Sequence, residues 1–447
     1  MNAKLLVPVV LSLLLPARLS AAALESGAAT NNPAARGSGQ GAALPRTDAK
    51  GNPLRRAPTG HVSNYDETKV GVYTLPDPLV LKDGQPVRTA EEWFEQRRPE
   101  ILKLYETEIY GRIPERAPKL VFAVAESDAH ALAGAAVRKH LVGHLGGTEG
   151  PAVNVWLYLP AKAKKPVPVL LHLTFFGGDP GSAAMPMATK DGRPRPRESG
   201  PLTNILARGY GYAAVRYTEF EGDSAATSLS LARKLALAPG QTKPASDEWG
   251  TISVWAWGAS RVLDYLETDP AVDARRVAII GHSRLGKTAL WAGAHDPRFA
   301  LVFSSCAGEM GSALARRDYG ETVDDMAANF PWQFAGNFRK YSGHWNELPV
   351  DAHMVIALNA PRPVFITGGT QDQWADPHGE FLAAVAAGPV YRLLGQPDLG
   401  ETEGPPLDKP LITGALGFHY HTGGHAILPA DWQAFFDFAE RQLKPVR

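Results

Sequence analysis

The chain has 447 residues, 44% of them hydrophobic and 21% charged, with 46 Lys plus Arg against 46 Asp plus Glu. This is the composition of a globular protein with room for a large core, and it excludes fibrous and wholly disordered classes. The absence of net charge removes the field that nucleic acid or an anionic membrane surface would need, leaving a small or locally charged substrate as the expected partner and a monomer as the default state. Lys4, an apolar run from Leu5 to Leu15 and the small residues Ala21, Ala22 and Ala23 have the layout of a secretory signal over 1–23, too short to span a bilayer. Export to the periplasm or the medium is expected, with no membrane attachment after cleavage. Cys306 is the single cysteine, so no intramolecular disulfide can form.

Residues 24–60 are rich in Gly, Ala, Asn, Pro and Arg and read as a flexible linker, leaving 61–447 as one folded domain. Gly37, Gly39 and Gly41 do not read as a phosphate loop, because no strand precedes them and no helix pattern follows. Trp93, Phe94, Ile101, Leu104, Tyr105 and Ile109 recur at helical spacing and predict a helix over 90–110. Strands are predicted over 119–125, 136–142, 153–159 and 169–174, the last a continuous apolar run of the doubly buried kind. Strands then alternate with helices: strand 212–217, helix 252–266, strand 277–280, helix 287–294, strands 300–304 and 364–367, and helix 429–443. The pattern predicts a three-layer αβα sandwich with a mostly parallel central sheet.

The sharpest motif is Gly281-His282-Ser283-Arg284-Leu285-Gly286, between a buried strand and a helix. A serine there is held out of the sheet at the positive end of a helix, where backbone N–H groups can face an oxyanion, as in the nucleophile elbow of α/β-hydrolases. The second glycine of that elbow normally follows two residues after the serine, a place taken here by Leu285. Asp372, just past the late strand, and His425, between Gly424 and the terminal helix, complete the order Ser, Asp, His of that fold. His425 is the expected base and Asp372 the group that orients it. Asp376 reads as a turn or helix-start residue before Pro377. His419, His421 and His425 lack the spacing of a zinc motif, so no metal and no organic cofactor is expected. Cys306 reads as a small buried hydrophobe and not as a nucleophile.

Beyond these features the sequence resembles the glucuronoyl esterases of carbohydrate esterase family fifteen, bacterial members especially, from about RRPEILKLYETEIYGRIP to the C-terminus. The resemblance rests on Ser283-Arg284-Leu285-Gly286-Lys287, WAWGASRVLDYLETD, YGET at 319–322, LPVDAHMVIALNAPRP and DQWADPHGEF, and it makes the displaced glycine a family trait. It implies a serine esterase acting on esters of 4-O-methyl-glucuronic acid in glucuronoxylan, as in lignin–carbohydrate linkages. By the same resemblance Arg284 faces the oxyanion, Lys287 and Glu321 bind sugar hydroxyls and Trp374 binds the ring; Phe175 or Phe176, in a loop that departs from the family, is expected to line the pocket. Two departures stand out. Many members carry the acid as a glutamate where Cys306 stands here, which moves the role to Asp372 or, with a shifted register, to Glu309. The loop Thr174 to Asp179 also differs from the family's Asn-containing one. A broader carboxylic-ester hydrolase and a catalytically idle carbohydrate-binding fold are the competing readings.

Overall fold

The computed structural model describes residues 44–182, 187–188, 194–195 and 200–443. The expected signal segment, 1–23, and the first part of the expected linker lie outside them. No helix among the described residues is long and apolar enough to cross a membrane.

The described residues form a nine-stranded sheet. In chain order its strands are β1 (Phe122–His130), β2 (Ala136–His144), β3 (Ala152–Pro160), β4 (Val167–Thr174), β5 (Gly211–Arg216), β6 (Val272–His282), β7 (Leu301–Ser305), β8 (Val364–Gly369) and β9 (Leu416–His421). Their spatial order is β1-β2-β3-β5-β4-β6-β7-β8-β9. The first four neighbours pair antiparallel, and from β5 onward every pairing is parallel. This is the mostly parallel sheet the alternating pattern predicts. Helices cover both faces because side chains alternate along each strand. Val169, Leu171, Val277 and Ile279 enter the larger core, with α1 (Thr251–Leu266), α2 (Arg284–His295) and α3 (Pro377–Leu393). Leu170, Ala278 and Ile280 enter the other core, under the helix Leu202–Ala207 and the terminal α4 (Pro429–Gln442).

Predicted and observed elements differ mostly at their ends. β1 runs Phe122–His130 and not 119–125, because Phe122 is its one buried side chain and the rest of the strand offers no apolar pattern to register. The 90–110 helix is present, but mixed α and π turns run through it. Composition assigns 44–60 to a linker, yet this stretch makes defined contacts: Arg56 bridges Val62, and Tyr65 donates its hydroxyl to the Pro53 carbonyl at 2.6 Å. It has no core of its own and lies on a surface the domain supplies.

α4 is held by aromatic packing. Phe435 is fully buried, stacks on Phe303 with ring centroids 4.6 Å apart and meets Phe365 at 5.9 Å. Phe435→Ala is expected to cost about 3–5 kcal/mol, read from urea unfolding. A loss below about 1 kcal/mol would contradict a tightly packed second core.

Candidate active site

The parallel strands end at one edge, and the loops leaving that edge carry the candidate residues. Ser283 follows β6, Cys306 follows β7, Asp372 follows β8 and His425 follows β9. The register pairs His282 with Ser305, Thr367 with Ser305 and Gly369 with His421, so the four loops start at the same level. Ligand sites of open α/β sheets lie at this carboxyl edge.

Ser283 has φ 58° and ψ −130°, a backbone conformation that a residue with a Cβ adopts only under constraint. The constraint is the turn itself. Ser283 N–H donates to the Ser305 carbonyl at 2.8 Å, while Gly286 and Lys287 N–H donate back to the Ser283 carbonyl at 2.8 and 3.2 Å. A Cβ on Gly281 would lie 1.8 Å from the Leu285 carbonyl oxygen, and one on Gly286 would lie 3.0 Å from the side chains of Ala307 and Ser304. Gly281 is therefore dictated by backbone approach, and Gly286 sits in tight contact with β7 and its loop.

His425 Nδ1 lies 2.6 Å from Asp372 Oδ2. Asp372 is buried, whereas the His425 ring is exposed at the cleft. The two loops brace each other: Gln371 N–H donates to the Gly423 carbonyl at 2.7 Å, and Gly423 N–H donates to Thr370 Oγ1 at 3.2 Å. The crowded surroundings of His425 draw its pKa down, but the hydrogen bond and charge of Asp372 outweigh this, and the net shift is upward. His282, whose ring centroid is 4.5 Å from that of His425, is pushed well down by burial and by the neighbouring His425. One imidazole is thereby held neutral beside another that gains its proton more easily than usual.

Ser283, Asp372 and His425 line one cleft of about 310 Å³, together with Arg284, Lys287, Glu321 and Trp374. The Arg284 guanidinium pairs with Asp223 and lies 5.2 Å from the ring centre of Phe330. Asp223 also accepts from Tyr217 at 2.9 Å, Trp332 at 2.8 Å and Gln333 at 2.9 Å, which fixes the guanidinium in place. Lys287 Nζ donates to the Ala307 carbonyl at 2.6 Å and sits 3.5 Å from Glu321 Oε2. Glu321 Oε1 accepts from Trp374 Nε1 at 3.0 Å. The three residues singled out for sugar binding thus form one connected network.

Phe175 is the expectation the structure does not place at the cleft. It is not among the described residues lining it; its ring packs edge-on against Tyr217 at 5.3 Å and His282 at 6.5 Å, supporting the floor behind the elbow. Glu309 does not line the cleft either, and burial with the charges of Asp351 and Glu321 pushes its pKa well up. Cys306 is buried at the cleft floor. His419 and His421 direct Nδ1 to Asp431 Oδ1 at 2.7 and 2.9 Å, tying β9 to α4. Asp376 accepts from Gly379 N–H at 3.0 Å as a helix cap. Sequence reasoning missed Asp223, although an acid seven residues beyond β5 leaves the same sheet edge, and it missed Pro53 and Arg55, which line the cleft from the N-terminal stretch.

Among known proteins, the family model described as "Glucuronyl esterase, fungi" matches residues 243–395. A carbohydrate esterase from an unknown prokaryotic organism is 40% identical over 400 residues, which cover 85% of this chain and 92% of that one. The solved glucuronoyl esterase from Solibacter usitatus is 44% identical with a TM-score of 0.77, covering 84% of this chain and all of the other (100%). A solved structure described as a promiscuous CE15 esterase from a marine bacterial metagenome is 40% identical, also with a TM-score of 0.77, and covers 85% and 100% of the two chains.

The elbow geometry gives a direct test. Gly281→Ala forces its Cβ into a carbonyl oxygen that cannot swing away, and a loss of about 3 kcal/mol or more is expected, read as a lowered Tm. An unchanged Tm would show that the turn is not closed as described.

Proposed function

The chain belongs to the glucuronoyl esterases of carbohydrate esterase family fifteen, and on that footing we propose that it hydrolyses esters of (4-O-methyl-)glucuronic acid in glucuronoxylan with Ser283 as nucleophile, His425 as base and Asp372 as the acid that orients it. The observation that carries this reading is the 2.6 Å Asp372–His425 pair in the same cleft as a serine held at positive φ.

In the cycle, His425 takes the Ser283 proton as Oγ attacks the ester carbonyl carbon at C6 of the uronate. Negative charge gathers on the carbonyl oxygen, faced by the Arg284 guanidinium and by backbone N–H groups at the start of α2. Collapse breaks the bond to the alcohol oxygen, which leaves with the proton from His425. Water, deprotonated by the same imidazole, then attacks the acyl-enzyme and releases the uronate and Ser283. Asp372 fixes the imidazole with Nδ1 protonated and stabilises the imidazolium formed in each half. Lys287, Glu321 and Trp374 take the sugar ring and its hydroxyls. The reading includes export directed by 1–23 and action outside the cytoplasm.

A broader range of carboxylic esters is the second reading, favoured by the relative described as promiscuous. Comparing benzyl glucuronate with the matching acetate separates the two. The glucuronate should be preferred in kcat/KM, and Lys287→Ala or Glu321→Ala should collapse the preference; equal turnover by the parent would favour the broader enzyme.

Ser283→Ala is expected to lower kcat at least about a thousandfold. Asp372→Asn should lower kcat strongly and also move the acid limb of kcat/KM to lower pH. The catalytic form is neutral His425, and the carboxylate that keeps its pKa up would be gone. An acid limb that stays in place would remove Asp372 from the role and make Glu309 the next acid to test.

A further inference from the structure

Three cations line the cleft besides the catalytic histidine, and two of them are matched. Arg284 is paired with Asp223 and Lys287 with Glu321. Arg55 is different: its side chain is exposed, and its guanidinium makes no ion pair with any described residue. It lies over the Trp374 indole, 4.6 Å from the ring centre. Asp325 is near enough for the Arg55 charge to act on its carboxylate, but the two form no ion pair, and Asp325 Oδ2 accepts from the Thr322 N–H and hydroxyl at 3.1 and 2.9 Å.

The residue is also held in place. Arg55 N–H donates to Ser63 Oγ at 3.0 Å, and Ser63 N–H returns to the Arg55 carbonyl at 3.1 Å. The same stretch grips the loop that carries Glu321. Thr59 donates to Asp324 at 2.9 Å, His61 meets Asp318 at 2.8 Å, Asn64 donates to the Asp318 carbonyl at 2.6 Å, and Gly320 N–H donates to the Asn64 carbonyl at 2.8 Å. Contacts therefore run in series from Lys287 to Glu321 to Trp374 to Arg55. Arg55 stands at the end of this contact series and lines the same cleft.

We propose that Arg55 forms an anion-binding subsite at the rim of the cleft, which takes a free uronate carboxylate on the same acidic polysaccharide that carries the ester. A guanidinium seated over an indole and in no ion pair has N–H groups left for a bidentate carboxylate. The reacting ester is itself uncharged, so the subsite reads the polymer and not the bond that is cut. This assignment rests on the uronate-esterase reading.

The test uses the full chain and two substrates: benzyl glucuronate alone, and an oligosaccharide bearing the same benzyl ester beside a second, unesterified glucuronate. The quantity read is the ratio of the two KM values, which cancels any general loss of folding or turnover. Arg55→Ala should shift that ratio against the acidic oligosaccharide by about tenfold, and Arg55→Lys should restore most of it. Added salt should move the ratio the same way in the parent and leave it flat in Arg55→Ala. A ratio unchanged by Arg55→Ala overturns the subsite, as does an equal rise of both KM values, which would mean that Arg55 only steadies Trp374. If the parent cleaves neither ester, the esterase reading fails instead. Calorimetric binding of the fully de-esterified acidic oligosaccharide, parent against Arg55→Ala, then decides the subsite by itself: weaker binding by the variant supports it, and equal binding overturns it.

Discussion

Everything in the cleft depends on one backbone turn that holds a serine at φ 58°. Left alone, a side-chain-bearing residue leaves that conformation at a gain of about 1–3 kcal/mol, so the surroundings must over-determine it. They do so through a closed set of backbone hydrogen bonds around Ser283, a close approach that excludes a Cβ at Gly281 and a tight contact at Gly286. The displacement of the second glycine from its usual place follows from packing: position 286 is the one that meets β7 and the Ala307 loop, so the small residue belongs there. Strain at Ser283 is sustained by the doubly covered sheet beneath it.

Charge in the cleft is handled by pairing in layers. Arg284 is fixed by an aspartate that accepts from three further side chains. Lys287 is buried against Glu321 and a carbonyl, and Trp374 is oriented by the same glutamate. His425 is tuned by Asp372 from one side while a neutral His282 lies on the other. Each working group thus arrives with its position already set, which lowers the reorganisation needed as charge develops on the ester. Arg55 departs from this pattern, and its departure is what makes the rim of the cleft informative.

The parts legible in the sequence were those fixed by local pattern. Apolar runs such as Val169 to Thr174 and the alternation of strands with helices gave the sheet and its layers, and Ser283, Asp372 and His425 were visible because each follows a recognisable strand or glycine-rich turn. Lys287, Glu321 and Trp374 came from a family resemblance, and the structure adds that they touch one another. What stayed hidden depends on distance in the chain. Asp223 reaches Arg284 across 61 residues, and Arg55 reaches Trp374 from a stretch whose composition reads as a linker. Phe175 packs on Tyr217 and His282, contacts that no local pattern encodes.

On the proposed cycle Ser283 carries the acyl group of a uronate ester during turnover. Rapid quenching of the enzyme with benzyl glucuronate, followed by peptide mass spectrometry, tests it most directly. A transient glucuronoyl adduct is expected on the peptide containing Ser283, formed as benzyl alcohol is released and lost as uronate appears. Product formation in a single turnover with an adduct on any other residue, or alcohol release with full activity retained in Ser283→Ala, would contradict it.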